Sequence, residues 1–362
     1  MKSEREKIEL LRELCLAFGP TGCEDNVAEM IRLRVSQFNI ADQITYDRMG
    51  NLIVYVRGGG EGYDPENPRK IMISAHMDEV GFMVNEITDD GYIKFAPLGG
   101  IDPRVLCGRG VTLGDENNRI RGVIASKAIH LQSSEDRKNA TPVDKMYIDI
   151  GAKDKEEAKK YVRIGDYGTF DSDFVLFGSG DKMVKCKAID DRLGCAVMVN
   201  ILERFAESGK RLPHDIYFCF TVREEIGYSG AGTAANLIAP DFAIVLESTA
   251  IADLPDVPEA ARAAVLGEGG VISLADRATI YDRAFVDFAL ATASQRGIPA
   301  QIKKYVSGGN DAGHIHKSGK GVRSLALSAP TRYLHSASCV ASLNDYFSIE
   351  ELLMAMLEDW SL

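Results

Sequence analysis

The stretch KIMISAHMDEVGF, residues 70–82, begins as a strand and ends as something else. From Ile71 to Met77 it is an almost unbroken apolar run, the pattern of a strand covered on both faces in a parallel sheet. His76 and Asp78 interrupt that pattern. A buried strand has no packing use for an imidazole and a carboxylate, so their place at its end calls for solvent or a task. The same break occurs in FTVREEIGYSGA, residues 220–231, where the run DIYFCFTV meets Glu224 and Glu225.

Residues 4–17 put Ile8, Leu11 and Leu14 on one helical face, and Thr21 with Glu24 forms a capping-box pattern opening a second helix to Phe38. ITYDRMGNLIVYVRG, residues 44–58, reads as a hairpin turning at Met49–Asn51. From Gly81 to Asp181 the texture changes to short β segments split by Asp-Gly and Gly-Gly turns, with a helical pattern only over 154–162 and an exposed loop at RKNATP, 137–142. Alternation resumes beyond 185: a helix from Asp191 to Ser208, strand DIYFCFTV, a helix near 230–237, strand DFAIVLE, a helix over 282–296, a strand over 300–306, strand RSLALS, and a last helix capped by Ser348 and Glu351. This order predicts an α/β fold: a doubly wound α/β/α catalytic domain from residues 1–80 and 182–362, with a small β-rich domain, 81–181, inserted in it.

The totals agree with two domains, since 362 residues exceed the roughly 250–300 that one core organises. A net charge of −11 argues against a phosphate-backbone partner, so nucleic acid is not expected. No run approaches the ~18 apolar residues of a membrane span, and the charged start MKSEREKIELL lacks a signal-peptide core. Seven cysteines without C-x-x-C spacing read as reduced thiols of a cytoplasmic protein.

The acids and imidazoles recur at element ends. His76 and Asp78 follow KIMIS, Glu224 and Glu225 follow DIYFCFTVR, Glu247 follows DFAIVL, Asp190 and Asp191 open a helix after MVKCKAI, and His335 falls just past the strand of 323–328. In a doubly wound sheet that edge is where ligands bind. Each alone has an ordinary use: a hydrogen-bonded His–Asp pair, a solvated Glu–Glu rim, acids at the positive end of a helix. Together they crowd negative charge that a cation offsets. Two histidines with three or more carboxylates form a donor set for a divalent transition metal, Zn²⁺ and Co²⁺ among them.

The segments AHMDEVG, AIDDRLG, VREEIGYSGA, LESTAIADLP and PTRYLHS, in that order, resemble the dinuclear-metal aminopeptidases that assemble as tetrahedral particles, relatives of the glutamyl and deblocking aminopeptidases. The likeness spans nearly the whole chain. It implies two divalent ions per subunit, Zn²⁺ or Co²⁺, with His76, Asp190 and Glu247 on one and Asp190, Glu225 and His335 on the other. It makes Asp190 the shared carboxylate, Asp191 its neighbour across a peptide that is often cis in the family, Asp78 the acid that orients His76, and Glu224 the general base. The family often has Asp where this chain has Glu247. SGGNDAGHIH, residues 307–316, resembles a Gly-Thr-Asp-Ala stretch, with Asn310 in place of Thr; it reads either as a Gly-rich turn capping a short helix or as a motif whose Asp311 helps build the substrate pocket, while His314 and His316 lack a partner pattern and read as structural.

The implied reaction removes N-terminal residues from peptides with a metal-activated water, Glu224 moving the proton. By the same likeness the inserted domain carries dimer contacts, and dimers build a dodecamer. Two rivals stand beside this reading. Some family members carry an endoglucanase label, and glycosidases use two metal-free carboxylates; a non-catalytic assembly protein on the same fold is the other. The preferred N-terminal residue is not legible, although the acidic net charge mildly disfavours an acidic-peptide specialist.

Overall fold

The computed structural model describes residues 3–115 and 118–362. Helix α1 (Glu4–Leu16) starts at Ser3, which closes a capping box with Glu6, and buries Leu10, Leu11 and Leu14. Helix α2 (Asp25–Val35) is shorter than its pattern: Ser36–Phe38 tightens into a 3₁₀ turn and Asn39 turns left-handed. Thr21 does not cap it. Glu24 precedes the helix and its carboxylate accepts from the amides of Gly22 and Arg223, a distant partner that displaces the local box. The hairpin forms as β1 (Gln43–Tyr46) and β2 (Leu52–Val56), its turn held by Asp47, which accepts from the amides of Met49, Gly50 and Asn51. Strand β3 (Lys70–His76) is buried from Ile71 onward.

The next six strands leave this layer. β4 (Gly81–Ile87), β5 (Ile93–Leu98), β6 (Gly110–Gly114), β7 (Arg119–Ala125), β8 (Tyr147–Asp149) and β9 (Tyr167–Phe170) close a barrel in the order β4-β5-β8-β7-β6-β9. Its own core includes Phe82, Phe95, Ile124, Ile148 and Phe170. The helical pattern at 154–162 yields one turn, α3 (Lys155–Ala158), capped by Asp154. Residues 137–142 are largely exposed. β10 (Val175–Phe177) lies within the expected insert but pairs with β11 (Met183–Cys186) instead of the barrel.

The alternating part then resumes through α4 (Ile189–Ser208), β12 (Asp215–Thr221), α5 (Ser229–Ile238), β13 (Phe242–Ala250), β14 (Gly270–Ile272), α6 (Arg283–Arg296), β15 (Ala300–Ile302), α7 (Ala312–Ile315), β16 (Arg323–Thr331), β17 (Cys339–Ser342) and α8 (Leu343–Glu358). Among the described residues eight strands form the main sheet, ordered β1-β2-β12-β3-β13-β16-β14-β15, and its four central strands are parallel. Helices α4 and α8 pack together against it, and α5 packs with α7 as a separate pair. The cap of α8 lies six residues before the expected Ser348. Ser342 caps the helix, while Ser348 sits inside it and accepts from the Gly270 amide, so its hydroxyl is satisfied by a neighbouring strand. Among the described residues no helix is long and apolar enough to cross a membrane.

Candidate active site

The register levels Thr221 of β12 with His76 of β3, so the Arg223–Glu225 turn and His76 emerge side by side. Glu247 is placed differently from its expected strand end. β13 runs on beside β16 to Ala250 but leaves β3 after Val245, and Glu247 lies on the edge thus freed. His76 Nε2 stands 3.3 Å from Asp190 Oδ1 and 3.7 Å from Glu247 Oε2. On the other side His335 Nε2 stands 3.4 Å from Asp190 Oδ2 and 3.3 Å from Glu225 Oε2. The two oxygens of Asp190 thus face two separate imidazoles. Glu224 joins His76 and Glu225 in a further trio whose donor atoms lie within 4.8 Å of one another.

Each of these side chains is itself held. His76 Nδ1 lies 3.1 Å from the Asp78 carbonyl and 3.4 Å from Asp78 Oδ1, and since a carbonyl oxygen only accepts, Nδ1 carries a proton there. His335 Nδ1 donates to the Gly100 carbonyl at 3.0 Å, a contact from the loop after β5 that no sequence pattern announced. Asp78 does more than orient His76. Its oxygens accept from the amides of Glu224 and Glu225 at 3.0 and 3.1 Å, fixing the turn after Arg223, whose φ is 58°. The peptide between Asp190 and Asp191 is cis, and Asp191 turns to the Gly194 amide at 3.1 Å. A Cβ at Gly194 would come 2.5 Å from Asp191 Oδ2, so any larger residue there would push this carboxylate aside.

Electrostatics report the crowding. Burial raises Glu224 and Glu247 well above the usual carboxylate range and Glu225 to about 8, with neighbouring acids adding to the push. Burial also raises Asp191. Burial opposes ionisation of Asp190, but His335 and His76 outweigh it and hold Asp190 low. Burial would lower the imidazoles, yet Asp190 and Glu225 hold His335 up at about 9, and Glu247 and Asp190 raise His76. Glu225 Oε1 and Glu247 Oε1 are buried without a hydrogen-bond partner. Such a set holds more carboxylates than imidazoles and keeps unpartnered carboxylate oxygens, which fits divalent cations of the Zn²⁺ or Co²⁺ kind.

A cavity of about 470 Å³ opens onto this cluster, and its walls include Tyr228, Ser248, Asp276, Lys303 and Asn310. Asp311, expected in the pocket, is instead buried behind the wall, accepting from the Thr221 hydroxyl at 2.6 Å and bracing the end of β12. Asn310 is the member of that motif that lines the cavity, bonded to the Tyr281 hydroxyl at 2.9 Å. His316 donates within its own helix to Ala312, and His314 packs by Tyr228. Lys303 and Asp276 were missed because they enter from just after β15 and from the loop after β14, segments without any chemical motif.

The sequence model of the M42 glutamyl aminopeptidases matches residues 50–352. This chain belongs to that family. As an M42 aminopeptidase it is a hydrolase of peptide bonds. A TET aminopeptidase from a marine sediment archaeon of the Thaumarchaeota superposes with a TM-score of 0.92 at 32% identity, over 99% of this chain and 97% of that one. The TET1 peptidase of Pyrococcus horikoshii, which assembles into a tetrahedron or a large octahedral shell, superposes at 0.83 with 34% identity, over 97% and 99%. The lysyl aminopeptidase of Pyrococcus furiosus is 29% identical over 97% of this M42 chain and 96% of its own length.

Proposed function

We propose that this M42 chain is a two-metal aminopeptidase that removes N-terminal residues from peptides, with Asp190 shared between the ions. The observation that carries the reading is Asp190 itself: each of its oxygens faces an imidazole, and each imidazole is backed by one further acid. His76, Asp190 and Glu247 would hold one ion and Asp190, Glu225 and His335 the other. When bound, such ions polarise the scissile carbonyl and acidify a water. Glu224 is required by neither set, lies beside both, and has its proton affinity raised by burial. It therefore suits taking a proton from the attacking water and returning it to the leaving amine. Asp78 positions both His76 and the Glu224–Glu225 turn.

The cavity favours a first residue whose side chain is acidic or otherwise accepts hydrogen bonds. Among the described residues Lys303 is the one lysine or arginine on its walls, and its ammonium spends one proton on the Ser307 carbonyl at 2.8 Å. Asp276 is already held by the amides of Ala278 and Thr279 and by Tyr281, so it does not neutralise the lysine by direct pairing. This local charge outweighs the weak inference from the acidic net charge. A glycosidase reading gains no support, because its two carboxyls need a sugar between them and no imidazoles, whereas these acids close on histidines. With every ligand position and the base filled, a purely structural role gains none either.

Self-association accords with the tetrahedral and octahedral shells of the Pyrococcus horikoshii TET1 peptidase, with residues 81–181 as the proposed dimer contact and a dodecamer as the proposed particle, and seven cysteines outside any disulfide accord with a reducing, cytoplasmic setting. The test is a panel of aminoacyl chromogenic substrates, assayed on metal-stripped protein with Zn²⁺, Co²⁺ or Mn²⁺ added back. Activity should need metal and a free α-amine, with Glu or Asp ahead of Lys. Full turnover without metal, or rapid internal cleavage of an N-acetylated peptide, defeats the proposal.

A further inference from the structure

Beneath the acids lies a second charged cluster that the hydrolytic reading leaves unused. Glu79 directly follows Asp78, and Lys187 and Arg192 flank Asp190 on either side in sequence. All three side chains are buried, with 2%, 4% and 0% of their surfaces exposed. Glu79 Oε1 accepts from Lys187 Nζ and lies 3.7 Å from an Arg192 guanidinium nitrogen, while Oε2 accepts from the Thr169 hydroxyl of β9 at 2.7 Å. Lys187 also donates to the Ala17 carbonyl at 3.0 Å. Arg192 donates to the carbonyls of Leu14, Gly19 and Met77. The Glu79 backbone is tied to the same N-terminal loop, donating to Gly19 and accepting from Thr21.

Three buried charges cost more than apolar side chains of the same volume, so a core alone gives no reason for them. Their geometry does. His76 hangs from β3 in the main sheet, but Asp190 follows β11, which belongs to the separate three-stranded sheet. Among the described residues no ladder pairs β3 with β11, and the two sheets touch through a bridge between Arg332 and Val340, far along the chain from both segments, yet the side chains of His76 and Asp190 meet at 3.3 Å. The direct links between the segment 76–79 and the segment 187–195 below that contact include Glu79 to Lys187, Glu79 to Arg192, Arg192 to the Met77 carbonyl, and Cys195 to the His76 carbonyl. Ligands to a metal pair tolerate displacements of only about 0.5 Å, so the spacing of these two segments governs affinity.

We propose that Glu79 is a positioning residue for the metal centre: with Lys187 and Arg192 it holds the His76–Asp78 segment and the Asp190 segment at the separation ion binding requires. The inference rests on the metal reading above and concerns how this chain builds that site. The experiment measures Co²⁺ affinity by competition with a chromogenic chelator in stripped wild type, Glu79→Gln, Lys187→Met and the double variant, with thermal melting of the metal-free proteins alongside. Affinity should fall about 10–100-fold in each single variant, the scale of losing a partner behind the ligands. The double variant should lose little more than one single, since both break the same link.

Normal affinity with lowered melting temperature in both single variants makes the cluster a stability element and overturns the proposal. So does weaker binding by Glu79→Gln with tighter binding by Lys187→Met, because net charge alone then explains the data. Should Glu79→Gln fail to fold, Lys187→Met decides by the same rule: a loss supports positioning, an unchanged or raised affinity refutes it. Wild type that takes up no Co²⁺ sinks the metal reading itself, a result distinct from normal wild type with normal variants.

Discussion

The barrel and the carboxyl edge of the main sheet bury side chains by opposite rules. Between Gly81 and Phe170, Thr169 is the one polar side chain buried among the described residues, and its hydroxyl serves Glu79. The sheet edge buries His76, Asp78, Glu79, Asp190, Asp191, Arg192, Glu224 and Glu247. Apolar burial is what folding rewards; clustered acids oppose it. The difference separates the part of the chain selected to fold from the part selected to bind and react.

The largest expected effect tests whether the buried acids do chemistry at all. Glu224→Gln keeps size and polarity but cannot accept a proton, so kcat should fall ~10²–10⁴-fold while metal content, read by elemental analysis, stays at the wild-type level. Glu225→Gln should act one step earlier: metal affinity falls about 10–100-fold and excess metal restores part of the rate. Should Glu224→Gln lose metal and Glu225→Gln keep it, the two roles are exchanged.

Lys303→Met sharpens the cavity reading. It should lower kcat/KM for Glu substrates about tenfold or more and leave Ala substrates nearly unchanged, the scale of one hydrogen bond to a charged group. Equal losses on both would make Lys303 a wall residue without selectivity.

The barrel side of the comparison calls for the reverse outcome. Ile148→Ala, at a position with no exposed surface, should cost about 2–5 kcal/mol in a denaturant melt and leave kcat of the folded protein within about twofold. A large kcat loss in folded protein would merge the two regions. His214 supplies the smallest effect. Burial holds it down at about 4, without the acids that raise His76 and His335. Below its unfolded value of about 6.5 the unfolded chain takes a proton that the native one refuses, so stability should fall as pH drops from about 6.5 to about 4. His214→Asn should flatten that slope, followed as melting temperature against pH.

Much of this was readable because its signals are local. Apolar runs ending in acids marked β3 and β12, and Asp-Gly turns marked the barrel strands. Local signals misled where a distant partner competed: Glu24 took the Arg223 amide instead of closing a box with Thr21, and Ser348 served Gly270 instead of capping α8. Asp311 failed as a pocket residue for a related reason, since one step along the chain exchanges a wall position for a buried one.

By itself the sequence determined which groups are available: two imidazoles and several carboxylates at the ends of apolar runs, in an order that admits a doubly wound sheet with an insertion. Periodicity and residue type are properties of neighbours along the chain, so they survive without coordinates. Tertiary structure alone decided that Asp190 faces two histidines from distant segments, that Gly100 of the barrel loop fixes His335, that Lys303 enters the cavity, and that Glu79 meets Lys187 and Arg192. Those contacts join residues far apart in sequence, and their distances depend on how sheets, barrel and N-terminal loop pack together, which no local pattern encodes.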